Sequence, residues 1–90
     1  MESHCRRFLI QGLVQGVSYR AFVRYQAQAL ALKGWAKNLP DGHVEVVACG
    51  PLERLSRLNE LLQKGPPQAN VTKVTMLGYL GQVEDGFLII

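Results

Sequence analysis

The sequence predicts an α+β fold of the ferredoxin-like kind: an antiparallel sheet with two helices on one face, in the order βαββαβ, plus a short C-terminal strand. Three observations predict it. Each half of the chain holds one segment with apolar residues at helical spacing. Short apolar or alternating runs flank both segments, as strands would. Glycine and proline separate each segment from the next. Right-handed crossovers leave few ways to assemble such a chain, and in this one the third strand lies between the first and second.

The elements follow in order. Residues 6–12 read as a strand. A loop with Gly12 and Gly16 comes next, and Ser18 is expected to cap a helix. Phe22, Tyr25, Ala29 and Leu32 then form one apolar stripe, ended by Lys33-Gly34. Residues 35–38 read as the second strand. Leu39-Pro40-Asp41-Gly42 is a turn, because proline presets φ and Asp-Gly accepts left-handed backbone. Residues 43–49 are its partner strand. Pro51 is expected at the first position of the second helix, where a missing N–H costs nothing. Leu52, Leu55, Leu58, Leu61 and Leu62 supply its buried stripe, and Gly65-Pro66-Pro67 breaks it. Residues 71–77 form a further strand and residues 87–90 a short terminal one.

Composition narrows the function classes. Ninety residues correspond to one domain, residues 1–90, with any site on a single core. Hydrophobic residues at 48% and charged residues at 19% exclude a disordered chain. The net charge is +3, and all of the excess lies in residues 1–50, with six Lys/Arg against three acids. A small anionic ligand is therefore expected in that half. The excess is too modest for the dense basic face of a nucleic-acid binder. No apolar run approaches the roughly 18 residues of a membrane span, and no secretory signal is expected. Two cysteines, Cys5 and Cys49, are too few for a zinc site, so a cytoplasmic location is the default reading.

The candidate site is the loop 12–20. It leaves a strand, carries two glycines and enters a helix, so its N–H groups can form an anion cradle at the positive helix end. Arg20 can fork onto two anion oxygens. A plain glycine-rich connection with a solvated arginine fits the spacing equally well. A GxxxxGK[ST] loop, a cysteine in the loop, HExxH and CxxC are all absent, so no thiolate nucleophile or metal-activated water is apparent. His4 and His43 read as solvent-exposed, and Asp41 as part of its turn. Such a cradle suits a substrate whose leaving group needs no protonation and whose attacker is water.

Gly12-Leu13-Val14-Gln15-Gly16-Val17-Ser18-Tyr19-Arg20 resembles the acylphosphatase signature G-x-V-Q-G-V-x-[FY]-R. Residues 34–45 resemble that family's second signature, G-[WYF]-[VA]-x-N-x-x-D-G-x-V-E, and Gly65-Pro66-Pro67 before a strand is also similar. The resemblance covers residues 6 to 77. It implies the same fold and hydrolysis of the carboxyl–phosphate bond of acyl phosphates. It further implies that the N–H groups of Gln15, Gly16, Val17, Ser18, Tyr19 and Arg20 hold the phosphoryl group, that Arg20 clamps it, and that Asn38 holds the attacking water. No metal or cofactor is expected, nor a nucleic-acid or membrane partner, and a monomer suffices. The alternative is a non-catalytic phosphate- or RNA-binding module on the same fold. RNA binding would stack bases on the central strands, where only Phe8 is aromatic.

The chain departs from the family pattern in three places. Leu30-Ala31-Leu32 stands where a glycine usually lies between two leucines. The expectation is that the backbone shifts slightly and Gly34 terminates the helix, since a left-handed alanine costs about 1–2 kcal/mol. Phe87-Leu88-Ile89-Ile90 replaces the usual aromatic or basic end, and residues 78–82 match no pattern. Cys5 begins the first strand and Cys49 ends the third. A disulfide and a pair of free thiols both fit that placement.

Overall fold

The computed structural model describes residues 3–90. In chain order it contains β1 (His4–Leu13), α1 (Tyr19–Ala29), β2 (Lys33–Asn38), β3 (Val44–Gly50), α2 (Leu52–Lys64), β4 (Asn70–Gly78) and β5 (Phe87–Ile89). The sheet order is β4-β1-β3-β2-β5, so β3 lies between β1 and β2 as expected. The first four strands pair antiparallel, whereas β5 runs parallel to β2. The sheet is therefore mixed at one edge. Residues 79–86 carry the chain from β4 to the opposite edge, where it re-enters in the direction of β2.

One sheet face packs on both helices. Phe8, Ile10, Ala36, Val44, Val46 and Ala48 meet Val23 and Ala27 of α1 and Leu55, Leu58 and Leu62 of α2 in a single buried cluster. The α1 stripe differs from the expected one. Tyr19, Val23 and Ala27 are buried, Phe22 is only half-buried and Tyr25 is 71% exposed. Periodicity sets the spacing of a stripe but not its phase, and both stripes satisfy the 3.6 period. In α2 the expected Leu55, Leu58 and Leu62 are buried, while Leu52 is largely exposed. Pro51 stands just before the helix instead of at its first position. Its backbone is extended, and its carbonyl accepts the N–H groups of Arg54 and Leu55 at 3.0 and 3.1 Å.

The end of α1 overturns a second expectation. Ala31 does take the left-handed conformation, with φ 56°. The Leu32 N–H donates to Ala27 O at 2.9 Å and the Ala31 N–H to Gln28 O at 3.0 Å. This 6→1 and 5→2 pair closes a helix with one left-handed residue after the cap. Two carbonyls are satisfied, and Leu32 is brought down onto the core. Gly34 has another task inside β2. A Cβ there would lie 1.8 Å from the Val47 carbonyl oxygen, so only glycine lets β2 approach β3 at that point.

The other sheet face carries polar and covalent ties. Cys5 and Cys49 are opposite each other in the β1–β3 register and are joined by a disulfide, with Cα atoms 4.1 Å apart. Arg7 Nε donates to Glu45 Oε2 at 2.6 Å, and Trp35 Nε1 donates to Glu45 Oε1 at 3.2 Å. Burial alone would raise the Glu45 pKa. The hydrogen bonds from Arg7 and Trp35, with the charges of Arg7 and Lys37, hold it below its ordinary value. Tyr79 meets the Trp35 ring edge-on at 5.7 Å, which gives the unmatched residues after β4 a packing role. Phe8 points into the helix side and is fully buried, so it offers no platform for stacking a base. No described helix is long and apolar enough to cross a membrane.

Candidate active site

The site forms where three strands end together. β1 and β2 are both antiparallel to β3, so they run parallel to each other and their C-terminal ends lie at one end of the sheet. β5, parallel to β2, ends there too. The loop 14–18 leaves β1 at this end, and Asn38 is the last residue of β2. Residues 20 to 24 positions apart in one half of the chain are thus made neighbours of the C-terminal strand.

The loop turns through two left-handed residues, Gly16 at φ 75° and Ser18 at φ 62°. Ser18 was expected to cap α1 with its side chain, and it does not. Its left-handed backbone closes the turn instead, and its carbonyl accepts the Phe22 N–H at 3.0 Å. Among the described residues, the N–H groups of residues 15–20 donate to no carbonyl in the loops and turns. The last of them belong to the first turn of α1, where helix geometry leaves N–H groups without partners and the dipole is positive.

Gly16, Ser18, Tyr19, Arg20 and Asn38 line one pocket of about 180 Å³. That is several-fold the roughly 30 Å³ of one liquid water. Gln15 and Val17, expected beside them, do not line it. The Gln15 side chain turns to the β2–β3 hairpin, and Val17 packs on the core. Val14, Ala21 and Ile89 complete the walls. Ile89 had no signal in the sequence, because only the parallel pairing of β5 brings it here. A Cβ on Gly16 would meet nothing within 4 Å, so its positive φ, not crowding, requires glycine.

Arg20 is the one charged side chain among the pocket-lining residues. Its Nη1 donates to the backbone oxygen of Ile90 at 3.2 Å, and the Ile90 N–H in turn donates to Ala36 O at 2.9 Å. Asn38 Oδ1 is buried and has no hydrogen-bond partner in the protein. A buried acceptor without a partner costs about 1–3 kcal/mol, so its persistence calls for a reason. His43 stands outside the pocket. Its Nδ1 lies 3.1 Å from Asp41 Oδ2, and Asp41 Oδ1 accepts the His43 N–H, the turn-shaping role expected of Asp41. A larger hollow of about 520 Å³ at the other end of the sheet holds both Lys33 and Asp85, which pair at 3.9 Å. Its positive charge is already matched, so the smaller pocket is the better anion site.

The pocket thus combines one guanidinium, the N-terminal end of a helix and a polar, non-titrating side chain at its wall. The acylphosphatase family model matches residues 6–89, beyond the residue-77 limit of the sequence resemblance. An acylphosphatase of Alkalilimnicola ehrlichii is 45% identical over 85 residues, covering 94% of this chain and 96% of that one. One of Vibrio cholerae is 49% identical over 77 residues, covering 86% and 85%. The structure of an acylphosphatase from Coxiella burnetii superposes with a TM-score of 0.92 at 40% identity, covering 98% of this chain and 93% of that one. The chain belongs to the acylphosphatase family. It is an enzyme of acyl phosphate hydrolysis.

Proposed function

We propose that the chain hydrolyses acyl phosphates by direct attack of water on a phosphoryl group held by the Arg20 side chain and the N–H groups of the pocket-lining loop residues Gly16, Ser18, Tyr19 and Arg20. Asn38 holds the water. The observation that carries this reading is that Asn38, whose buried Oδ1 has no partner in the protein, lines the same pocket as Arg20 and the loop. A carboxamide oxygen accepts a hydrogen from water and so aims the water's lone pair at phosphorus. The oxygen is nearly enclosed, so the amide turns, or the pocket opens, as the water enters.

The chemistry asks for little else. The water oxygen bonds to phosphorus as the bond from phosphorus to the acyl oxygen breaks. The leaving carboxylate has a conjugate-acid pKa in the ordinary carboxyl range near 4, so it departs without a proton. The water's protons pass to phosphate and solvent. A loose phosphoryl-transfer state needs charge stabilisation on the equatorial oxygens, which a guanidinium and backbone N–H groups provide.

We further infer that it acts as a monomer on small acyl phosphates, without a nucleic-acid partner. We place it in the cytoplasm, and the Cys5–Cys49 bond is the observation that pulls against that placement. The test is hydrolysis of benzoyl phosphate in the presence of a metal chelator. Arg20→Ala and Asn38→Ala are each expected to cut turnover by about 10²-fold or more. Folded wild type without turnover would reject the mechanism, as would full activity of either variant.

A further inference from the structure

We propose that Gln15 is a positioning residue that holds Asn38 at the distance from the cradle that water attack requires. The inference rests on the reading of Asn38 given above. The Gln15 carboxamide nitrogen donates to Leu39 O at 2.8 Å and to His43 O at 2.9 Å. A carboxamide nitrogen has two hydrogens, and both are engaged. Leu39 directly follows Asn38, and His43 directly precedes Val44, the register partner of Asn38. His43 O also accepts the Leu39 N–H at 2.8 Å. Gln15 therefore grips both sides of the hairpin turn where it leaves the strands, one residue from Asn38.

The sheet itself provides no such grip. β3 separates β1 from β2, so no strand ladder joins the loop 14–18 to Asn38. Among the described residues, these two are the side-chain hydrogen bonds that link that loop to the hairpin. Without them the loop and Asn38 are related only through packing. In-line attack tolerates little error, and a displacement of about 1 Å can cost about 10²-fold. The carboxamide of Gln15 thus serves the reaction from outside the pocket, touching neither phosphate nor water.

The test uses Gln15→Met, which removes both donors at similar length, and Gln15→Asn, which keeps the amide but shortens its reach. Turnover number, KM for benzoyl phosphate, inhibition by inorganic phosphate and thermal stability are measured, alone and in an Asn38→Ala background. We expect kcat to fall about tenfold, equivalent to ~1.4 kcal/mol. KM and phosphate inhibition should stay within about twofold. In the Asn38→Ala background the further loss should vanish, because Gln15 acts only through Asn38. Unchanged kcat in whichever variant folds would overturn the proposal. So would a loss that persists undiminished without Asn38, or a rise in KM with kcat intact, which would make the Gln15 side chain a phosphate ligand. Should Asn38→Ala alone keep full activity, the water-holding reading falls and this one with it. An inactive Asn38→Ala beside fully active Gln15 variants removes the clamp alone.

Discussion

The buried hydroxyl of Tyr19 donates to the carbonyl of Leu62 at 2.7 Å, tying the first turn of α1 to the last turn of α2. The last four carbonyls of a helix lack partners within it, so Tyr19 satisfies one that would otherwise be buried and unpaired. It also fixes the start of α1 next to Arg20, where the candidate site lies. Tyr19→Phe keeps the ring but removes that donor, and should cost about 1–2 kcal/mol in urea unfolding. Burial raises the Tyr19 pKa well above the ordinary value near 10. A raised acid pKa means that the folded state favours the neutral form. Its contribution is complete below pH ~10 and fades as pH climbs above it. Wild type should therefore lose stability above pH ~10 more steeply than Tyr19→Phe. Parallel pH curves for the two proteins would contradict this account.

The proposed reaction uses no group that titrates near neutrality. Asparagine does not ionise, and arginine stays protonated throughout. His43, the nearest histidine in sequence to Asn38, is engaged with Asp41 in the hairpin turn. The kcat for benzoyl phosphate is expected to vary little from about pH 5 to 8. A limb centred near 6.5 would show a histidine acting as base or acid.

Ala31 stores strain that a glycine would relieve. A left-handed alanine costs about 1–2 kcal/mol. Glycine in its place gives back about 0.4–1 kcal/mol through its freer unfolded chain. Ala31→Gly should therefore stabilise the protein by up to about 1.5 kcal/mol, read as a higher urea midpoint with an unchanged slope. A lower midpoint would mean that the αL position is not strained.

The disulfide joins residues 44 apart in sequence, across β1 and β3. In the chain-entropy model such a closure stabilises by about 4 kcal/mol. For a domain of this size, that corresponds to a fall in Tm upward of about 15 °C on reduction. Thermal melts with and without reductant measure it, with Cys49→Ala as control. The bond lies at the sheet end away from the pocket, so kcat at 25 °C should not change. Equal melting temperatures would show that the link does not constrain the unfolded chain.

Much of the fold was legible because its signals are local. Pro40, Asp41 and Gly42 dictate their turn by backbone preference, and the turn forms as expected, with Gly42 N–H donating to Leu39 O at 3.1 Å. The leucine spacing of α2 has one acceptable phase, and Leu55, Leu58 and Leu62 are buried in it. In α1 two phases compete, and only packing against the sheet chooses Tyr19, Val23 and Ala27. Ala31 departs from the expectation for a similar reason. Residue preference argues against a left-handed alanine, but the cap hydrogen bonds and the burial of Leu32 outweigh it.

By itself the sequence determined the strand and helix order, the glycine loop before Arg20 and the hairpin that carries Asn38. Each of these rests on φ preferences and periodicities within a few residues. Tertiary structure alone decided that Asn38 and Arg20 share a pocket, that Ile89 walls it, and that the Gln15 side chain faces the hairpin and not that pocket. Those relationships depend on β3 lying between β1 and β2 and on β5 joining in parallel. Strand register is set by long-range pairing and burial together, and no stretch of residues carries that information alone.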